Sequence, residues 1–216
     1  MNVLALDGAL GAFSAAVASN GRIAASRMEV GNVALERGLA IVQEVLDDAT
    51  VAPQQIDRLA VGIGPGTFTG LRIAIAYTKS LAAVWERPLV PINSFDLLEY
   101  GASYDRVLAV VVGRPGVISA RYRSRTATRR ASGRILEVLN EVLPEGDASG
   151  LNVVGAPEDV LHALAERAIT VRSFEPLVTP AAAAAALAAA LRTPPRSLHE
   201  VRADYGELPA AKPPRS

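Results

Sequence analysis

The chain has 216 residues, half of them hydrophobic and a fifth charged, which is the balance of a soluble globular protein with room for one large domain or two lobes of about 100 residues. Lys+Arg and Asp+Glu each total 22, so a formal charge of zero excludes nucleic-acid binding by overall electrostatics, although Arg121, Arg123, Arg125, Arg129, Arg130 and Arg134 leave room for a local basic patch. The absence of cysteine excludes disulfides, thiol nucleophiles and thiolate metal sites. No basic stretch followed by an apolar run opens the chain, and the alanine-rich run from Ala181 to Leu191 is too short to span a bilayer, so a cytoplasmic protein with no membrane partner is expected.

Residues 2 to 28 read as three successive strands: Val3 to Leu6, Phe13 to Ala18, and Arg22 to Met28, with Asn20-Gly21 as a hairpin turn between the last two. Val33 to Ala49 has helical periodicity, with Leu35, Leu39, Val42 and Leu46 on one stripe. Leu59 to Ile63 is a short strand, followed by a glycine-rich turn and a helix from Phe68 to Trp85. Leu89 to Ile92 is another strand, and Ser94 is placed to cap a short helix to Tyr100. The second half begins like the first: Val107-Leu108-Ala109 repeats Val3-Leu4-Ala5 at an offset of 104, and Ser119-Ala120 repeats Ser14-Ala15 at 105, which favours an internal duplication. A strand at Leu151–Val154, a helix from Pro157 to Arg167, a strand at Ile169–Val171 and a helix from Pro180 to Arg192 follow. The division expected is a lobe at 1–102, a shorter lobe at 103–192, and a mobile Pro-rich basic tail at 193–216.

The most specific segment is Gly62-Ile-Gly-Pro-Gly-Thr-Phe-Thr-Gly-Leu-Arg-Ile, between an apolar strand and a helix. Glycines there either turn backbone N–H groups toward an anion at the helix N-terminus or simply relieve crowding in a tight crossover. No lysine follows them, so the segment is not a Walker phosphate loop, and the spacing misses the dinucleotide fingerprint.

The first two helices are unusually apolar. In the first, Ala34, Gly38, Ile41 and Val45 form a second stripe beside the core stripe, and Gly38 in a helix interior asks for a close-packing reason. In the second, Arg72, Lys79 and Glu86 are the charged residues, spaced seven apart on one stripe. Thr69, Ile73, Ala76, Ser80 and Ala83 follow the 4-3-4-3 spacing of a helix–helix seam. Either the second lobe covers these faces or a partner does.

The glycine-rich string resembles the GxGPGSFTGxR signature of the TsaB (YeaZ) family, with Thr67 replacing the usual serine. Leu4-Ala-Leu-Asp-Gly-Ala resembles that family's LAIDTA start, with Gly8 where threonine is usual, and Glu36-Arg37 and Leu39 continue the similarity. The resemblance covers residues 2 to about 100. It implies an α/β, actin-like (ribonuclease H-like) fold of two duplicated lobes, each with a mixed sheet and helices. It also implies a non-catalytic subunit that binds a TsaD-like catalytic partner, with a TsaE-like ATPase, in threonylcarbamoyl transfer to the adenosine beside the anticodon of tRNA. In this reading tRNA is met only within the complex, the two helices form the partner interface, and the isolated chain forms a homodimer through them.

TsaD relatives hold metal through a His-x-x-x-His pair on the first helix, where this chain has no histidine; His162 and His199 lie elsewhere, so no metal ligand is assigned. The family's acidic segment at the start of the second lobe is replaced by Val112-Gly-Arg-Pro-Gly-Val-Ile-Ser. Asp7, Gly64 and Gly66 remain as a vestigial nucleotide site that allows non-productive binding, with no cofactor required; Asp7 equally suits capping a turn with Gly8. The rival reading is an actin-like ATP-dependent transferase or kinase active on its own, against which the missing second carboxylate counts.

Overall fold

The computed structural model describes residues 1–31, 36–143 and 150–206. The first half builds β1 (Asn2–Asp7), β2 (Ala12–Ser19), β3 (Arg22–Val30), α1 (Gly38–Ala49), β4 (Arg58–Gly64), α2 (Phe68–Trp85), β5 (Leu89–Asn93) and α3 (Ser94–Leu98). The second half builds β6 (Val107–Arg114), β7 (Val117–Arg123), β8 (Thr128–Arg134), α4 (Ile135–Val142), β9 (Leu151–Val154), α5 (Glu158–Glu166), β10 (Val171–Ser173) and α6 (Ala181–Ala190). The two five-stranded sheets have one topology: β3-β2-β1-β4-β5 is matched by β8-β7-β6-β9-β10.

The registers confirm the duplication residue by residue. Leu4 stands between Val17, antiparallel, and Leu59, parallel; Leu108 stands between Tyr122 and Val153 in the same way. Asp7 faces Ser14 and Val111 faces Ser119, so the offsets of 104 and 105 seen in the sequence are the structural equivalences of the two sheets. Val111 therefore occupies the second-lobe position that corresponds to Asp7.

Strand alternation sends Leu4, Leu6, Phe13 and Val17 to a core shared with α1 and α2, and Val3, Ala5, Ala16 and Ala18 to the opposite face of the sheet. That opposite face is covered by α6, a helix from the far half of the chain. Its buried alanines, from Ala182 to Ala189, let helix and sheet backbones approach closely, and Arg58 closes its C-terminal end by donating to the carbonyls of Ala189 and Arg192, both at 2.7 Å. Reciprocally, α3 from the first half packs Phe95 and Leu98 on Val107, Ala109, Val111 and Val154 of the second sheet. Each lobe thus lends one helix to the other, and α6, placed by sequence in the second lobe, completes the core of the first.

Other expectations also change. Among described residues α1 presents Ile41, Val42, Val45 and Leu46 to a single core, and Leu39 is exposed. The short helix is capped by Asn93, whose side chain accepts the Phe95 N–H at 3.0 Å, and Ser94 is its first residue. Strand β8 and helix α4 carry no sequence expectation. Thr-Arg-Arg-Ala-Ser-Gly-Arg is a polar edge strand with almost no apolar alternation, whereas α4 does have a legible apolar stripe, Val138, Leu139 and Val142, missed at the level of sequence. The expectation of a mobile tail from Thr193 fails at least to residue 206: Val201 is fully buried in the first core, with Leu198, Ala203 and Tyr205 packed against it. Residues 207–216 lie outside the described residues.

Candidate functional site

The glycine-rich segment links β4 to α2 and lies against the β1–β2 loop. The Thr67 N–H donates to the Ala9 carbonyl at 2.9 Å, and the Thr67 hydroxyl to the Gly8 carbonyl at 3.0 Å. A Cβ on Gly66 would lie 2.2 Å from the Ala9 carbonyl oxygen, and one on Gly64 would lie 2.2 Å from the Asp204 carbonyl oxygen. The glycines are needed for close backbone packing, as in the tight-crossover reading.

The actin-like reading implies a nucleotide, and the residues here do not fit one. Carbonyl oxygens, which repel phosphate, stand against Gly64 and Gly66, and Asp7 is fully buried. Asp7, Gly64 and Gly66 are brought together, but as a closed backbone junction. Among the described residues no group of three or more His, Cys, Asp or Glu could hold a metal ion. His162 pairs on the surface with Glu166 at 3.3 Å.

Asp7 caps the β1–β2 turn: its Oδ2 accepts the N–H groups of Ala9 at 3.1 Å and Leu10 at 3.4 Å. Its Oδ1 has no partner and lies where a Gly62 side chain would start. Burial, partly offset by the Leu10 and Ala9 N–H groups, pushes its pKa from 3.8 up to about 6. Asp7 also lines a largely apolar cavity of about 340 Å³ with Leu10, Met28, Leu97 and Val178. Below pH 3.8 the carboxyl is protonated in both folded and unfolded chains and costs nothing; the cost grows as pH rises, and is complete above about 6. At about 1.36 kcal/mol per pH unit, Asp7→Asn is expected to raise stability at pH 7.5 by up to about 3 kcal/mol, with little gain at pH 4. Urea unfolding at the two pH values checks this; an equal or lower stability at pH 7.5 contradicts it.

A second polar cluster, missed at the level of sequence, ties the lobes together. Glu99, just after α3 and buried, accepts from Arg121 Nε at 3.1 Å, Arg121 Nη2 at 2.9 Å and Arg123 Nε at 2.7 Å. Asp96 accepts from Arg121 at 2.6 Å and Arg192 at 2.7 Å. Burial would raise the Asp96 pKa, but the hydrogen bonds and charges of Arg192 and Arg121 outweigh it and hold the carboxyl below its usual range. Arg125 pairs with Asp105 and Arg130 with Asp204, so these arginines of the expected basic patch neutralise the protein's own carboxylates. The signal that could have found the network is the Asp-x-x-Glu spacing at 96 and 99, which puts both carboxylates on one face of a helix.

The expected helical interface divides in two. Gly38, Ile41 and Val45 are core residues; a side chain on Gly38 would strike the ring of Tyr77 at 2.6 Å, so its close-packing reason is α2 of the same lobe. Ala34 lies outside the described residues. On α2, Thr69, Ala76, Ser80 and Ala83 are exposed along one side and Ile73 is half-buried. Phe68 and Val84 flank this row, 53% and 78% exposed, and Leu39 of α1 is 52% exposed.

The family model described as "TsaD: tRNA N6-adenosine threonylcarbamoyltransferase" matches residues 34–193. The Pseudomonas aeruginosa YeaZ-like protein, a solved structure, superposes with a TM-score of 0.72 at 25% identity, covering 95% of this chain and 99% of that one. The chain belongs to the TsaD family, on its TsaB/YeaZ branch. The tRNA threonylcarbamoyladenosine biosynthesis protein TsaB of Escherichia coli is 33% identical over 122 residues, covering 55% of this chain. The chain spans about half the length of that relative, 53%. A Bacteroides thetaiotaomicron protein described as having an actin-like ATPase fold superposes at a TM-score of 0.52 and 11% identity, and the two matched sheets give this family member the same fold. No helix among the described residues is long and apolar enough to cross a membrane.

Proposed function

We propose that this protein is a non-catalytic, cytoplasmic subunit in the biosynthesis of threonylcarbamoyladenosine in tRNA, docking a TsaD-like catalytic partner through the outward side of α2. The observation that carries the reading is the exposed row Thr69, Ala76, Ser80 and Ala83, flanked by Phe68 and Val84. Small residues in a row let a second helix approach closely, and exposed apolar flanks give it surface to bury. Ile73 sits at the base of the row, and Gly38, Ile41 and Val45 support it only from within the lobe. The partner would bring the tRNA site, a TsaE-like ATPase would join the assembly, and without the partner the same row would pair two copies of this chain about a two-fold axis. A subunit without chemistry of its own fits the closed junction at Gly64 and Gly66 and the valine at position 111. The rival, a self-sufficient ATP-dependent transferase or kinase, would need an open phosphate site and a second carboxylate.

Ala76→Arg places a charge in the centre of the row, on a side chain that faces solvent in the free chain. It is expected to leave folding intact, to weaken binding to a TsaD-like subunit by about 3 kcal/mol, roughly a hundredfold in Kd, and to make the isolated chain monomeric. Titration calorimetry and sedimentation provide the readouts. Unchanged partner affinity would place the interface elsewhere.

A further inference from the structure

The segment from Leu198 to Gly206 crosses between the lobes and touches both. It opens with one 3-10 turn at Leu198–Glu200, which Ser197 caps by accepting the His199 N–H at 3.2 Å. Val201 is then fully buried in the first lobe. Tyr205 rests on Phe68 with ring centroids 5.1 Å apart, and its hydroxyl accepts from Arg72 Nε at 3.1 Å. Asp204, between these anchors, is held from several directions. Its N–H donates to the Ile63 carbonyl at 2.7 Å, and its Oδ1 accepts the Gly206 N–H at 3.0 Å. Its Oδ2 accepts from Asn93 at 3.4 Å and from Arg130 of β8, in the second lobe, at 2.6 Å. Gly206 follows at a φ of 75°, so close to the second lobe that a Cβ would meet Ser119 Oγ at 2.3 Å.

We propose that residues 198–206 are a latch: they fill the cleft over the glycine-rich loop, fix the angle between the lobes, and open at the Asp204–Arg130 pair. The two ends of the contact differ in kind. The first lobe holds the segment by a buried valine, an aromatic stack and a backbone bond, which bind it firmly. The second lobe holds it by an ion pair with both side chains partly in water, 37% and 28% exposed, and by one glycine contact. Solvent-accessible ion pairs are weak and screened by salt, so separation occurs on the second-lobe side. The open latch stays attached to the first lobe, where Asp204 still covers Gly64, and leaves the α3 ion network as the tie about which the lobes turn.

The chain lacks cysteine, so spin labels on Arg22→Cys, in the first lobe, and Asn140→Cys, in the second, report the interlobe distance without background. Pulsed dipolar spectroscopy of the labelled parent is expected to give one narrow distribution. Asp204→Ala should shift it to longer distances and broaden it, and adding Arg130→Asp to Asp204→Arg should restore the narrow peak. An Asp204→Ala distribution that overlays the parent's would overturn the latch. So would a charge-swapped chain as broad as the single variant, because the pair would then not be what closes it.

Discussion

Replacing Gly70 by alanine should lower stability by about 3 kcal/mol, although helix propensity alone favours alanine by about 1 kcal/mol. Gly70 lies in the first turn of α2, where a Cβ would sit 1.9 Å from the Gly8 carbonyl oxygen and 2.7 Å from Thr67 Oγ1. The obstacle is backbone, and it has little freedom to retreat. Gly8 meets Gly70 from its own side, its Cβ position lying 2.5 Å from the Gly70 carbonyl oxygen, while the two Thr67 hydrogen bonds hold the loops together. Relief requires parting the β1–β2 loop from α2, at the expense of those bonds, worth about 1 kcal/mol each. For a chain of this size the loss corresponds to a fall in Tm of roughly 6–12 °C. Gly113→Ala is the control, since the nearest atom to its Cβ position is the Val117 carbonyl oxygen at 4.0 Å. Calorimetry that finds Gly70→Ala as stable as the control would contradict the closed junction, and with it the claim that these glycines serve packing.

Glu99→Ala is expected to cost about 3 kcal/mol by stranding two guanidinium groups at the interlobe face. The Glu99 side chain is 5% exposed, and both its oxygens are bonded to arginine. Two features moderate the loss: Arg123 is 35% exposed and recovers water, and Asp96 still holds Arg121 at 2.6 Å. The neutral isostere Glu99→Gln should cost less, because its oxygen at the Oε1 position still accepts both Arg121 bonds and only the Arg123 bond is lost. In a double-mutant cycle, Arg121→Leu made on the Glu99→Ala background should cost less than on the parent, since the charge it removes has already lost a partner. Urea midpoints for the four proteins supply the numbers. Glu99→Ala within about 0.5 kcal/mol of the parent would show that the Glu99 bonds contribute little to joining the lobes.

Gly70 and Glu99 belong to one packed and ion-paired junction. Phe95 and Leu98 fill the space between the sheets, the β1–β2 loop closes on α2, and the Asp204 segment covers Gly64. On α2 the small residues Thr69, Ala76, Ser80 and Ala83 stay exposed, which is the surface the proposed docking would use.

By itself the sequence determined the elements whose signal is local. Alternation in β1 and β2, the Asn20-Gly21 hairpin, the periodicity of α2 and the glycine-rich crossover all lie within about 20 residues of chain, as do the steric rules that make them legible. The offset repeats also pointed to the duplication, which the matching registers of the two sheets then bear out. Tertiary structure alone decided the rest. Gly38, Ile41 and Val45 form an apolar stripe in any reading of the helix; only the position of Tyr77 and Phe13 says that this stripe is core. The alanines of α6 have no preferred face, and the fold buries them nearly all round against the sheet of the other lobe and its neighbours. Strand β8 is nearly all polar, so it is specified by its ladder to β7 rather than by its own pattern. Asp204 lies in a stretch that reads as tail, and its partners Ile63, Asn93 and Arg130 are far away in sequence. Burial and pairing depend on residues that meet only after folding, so composition foresees a charged tail where the fold makes a strap.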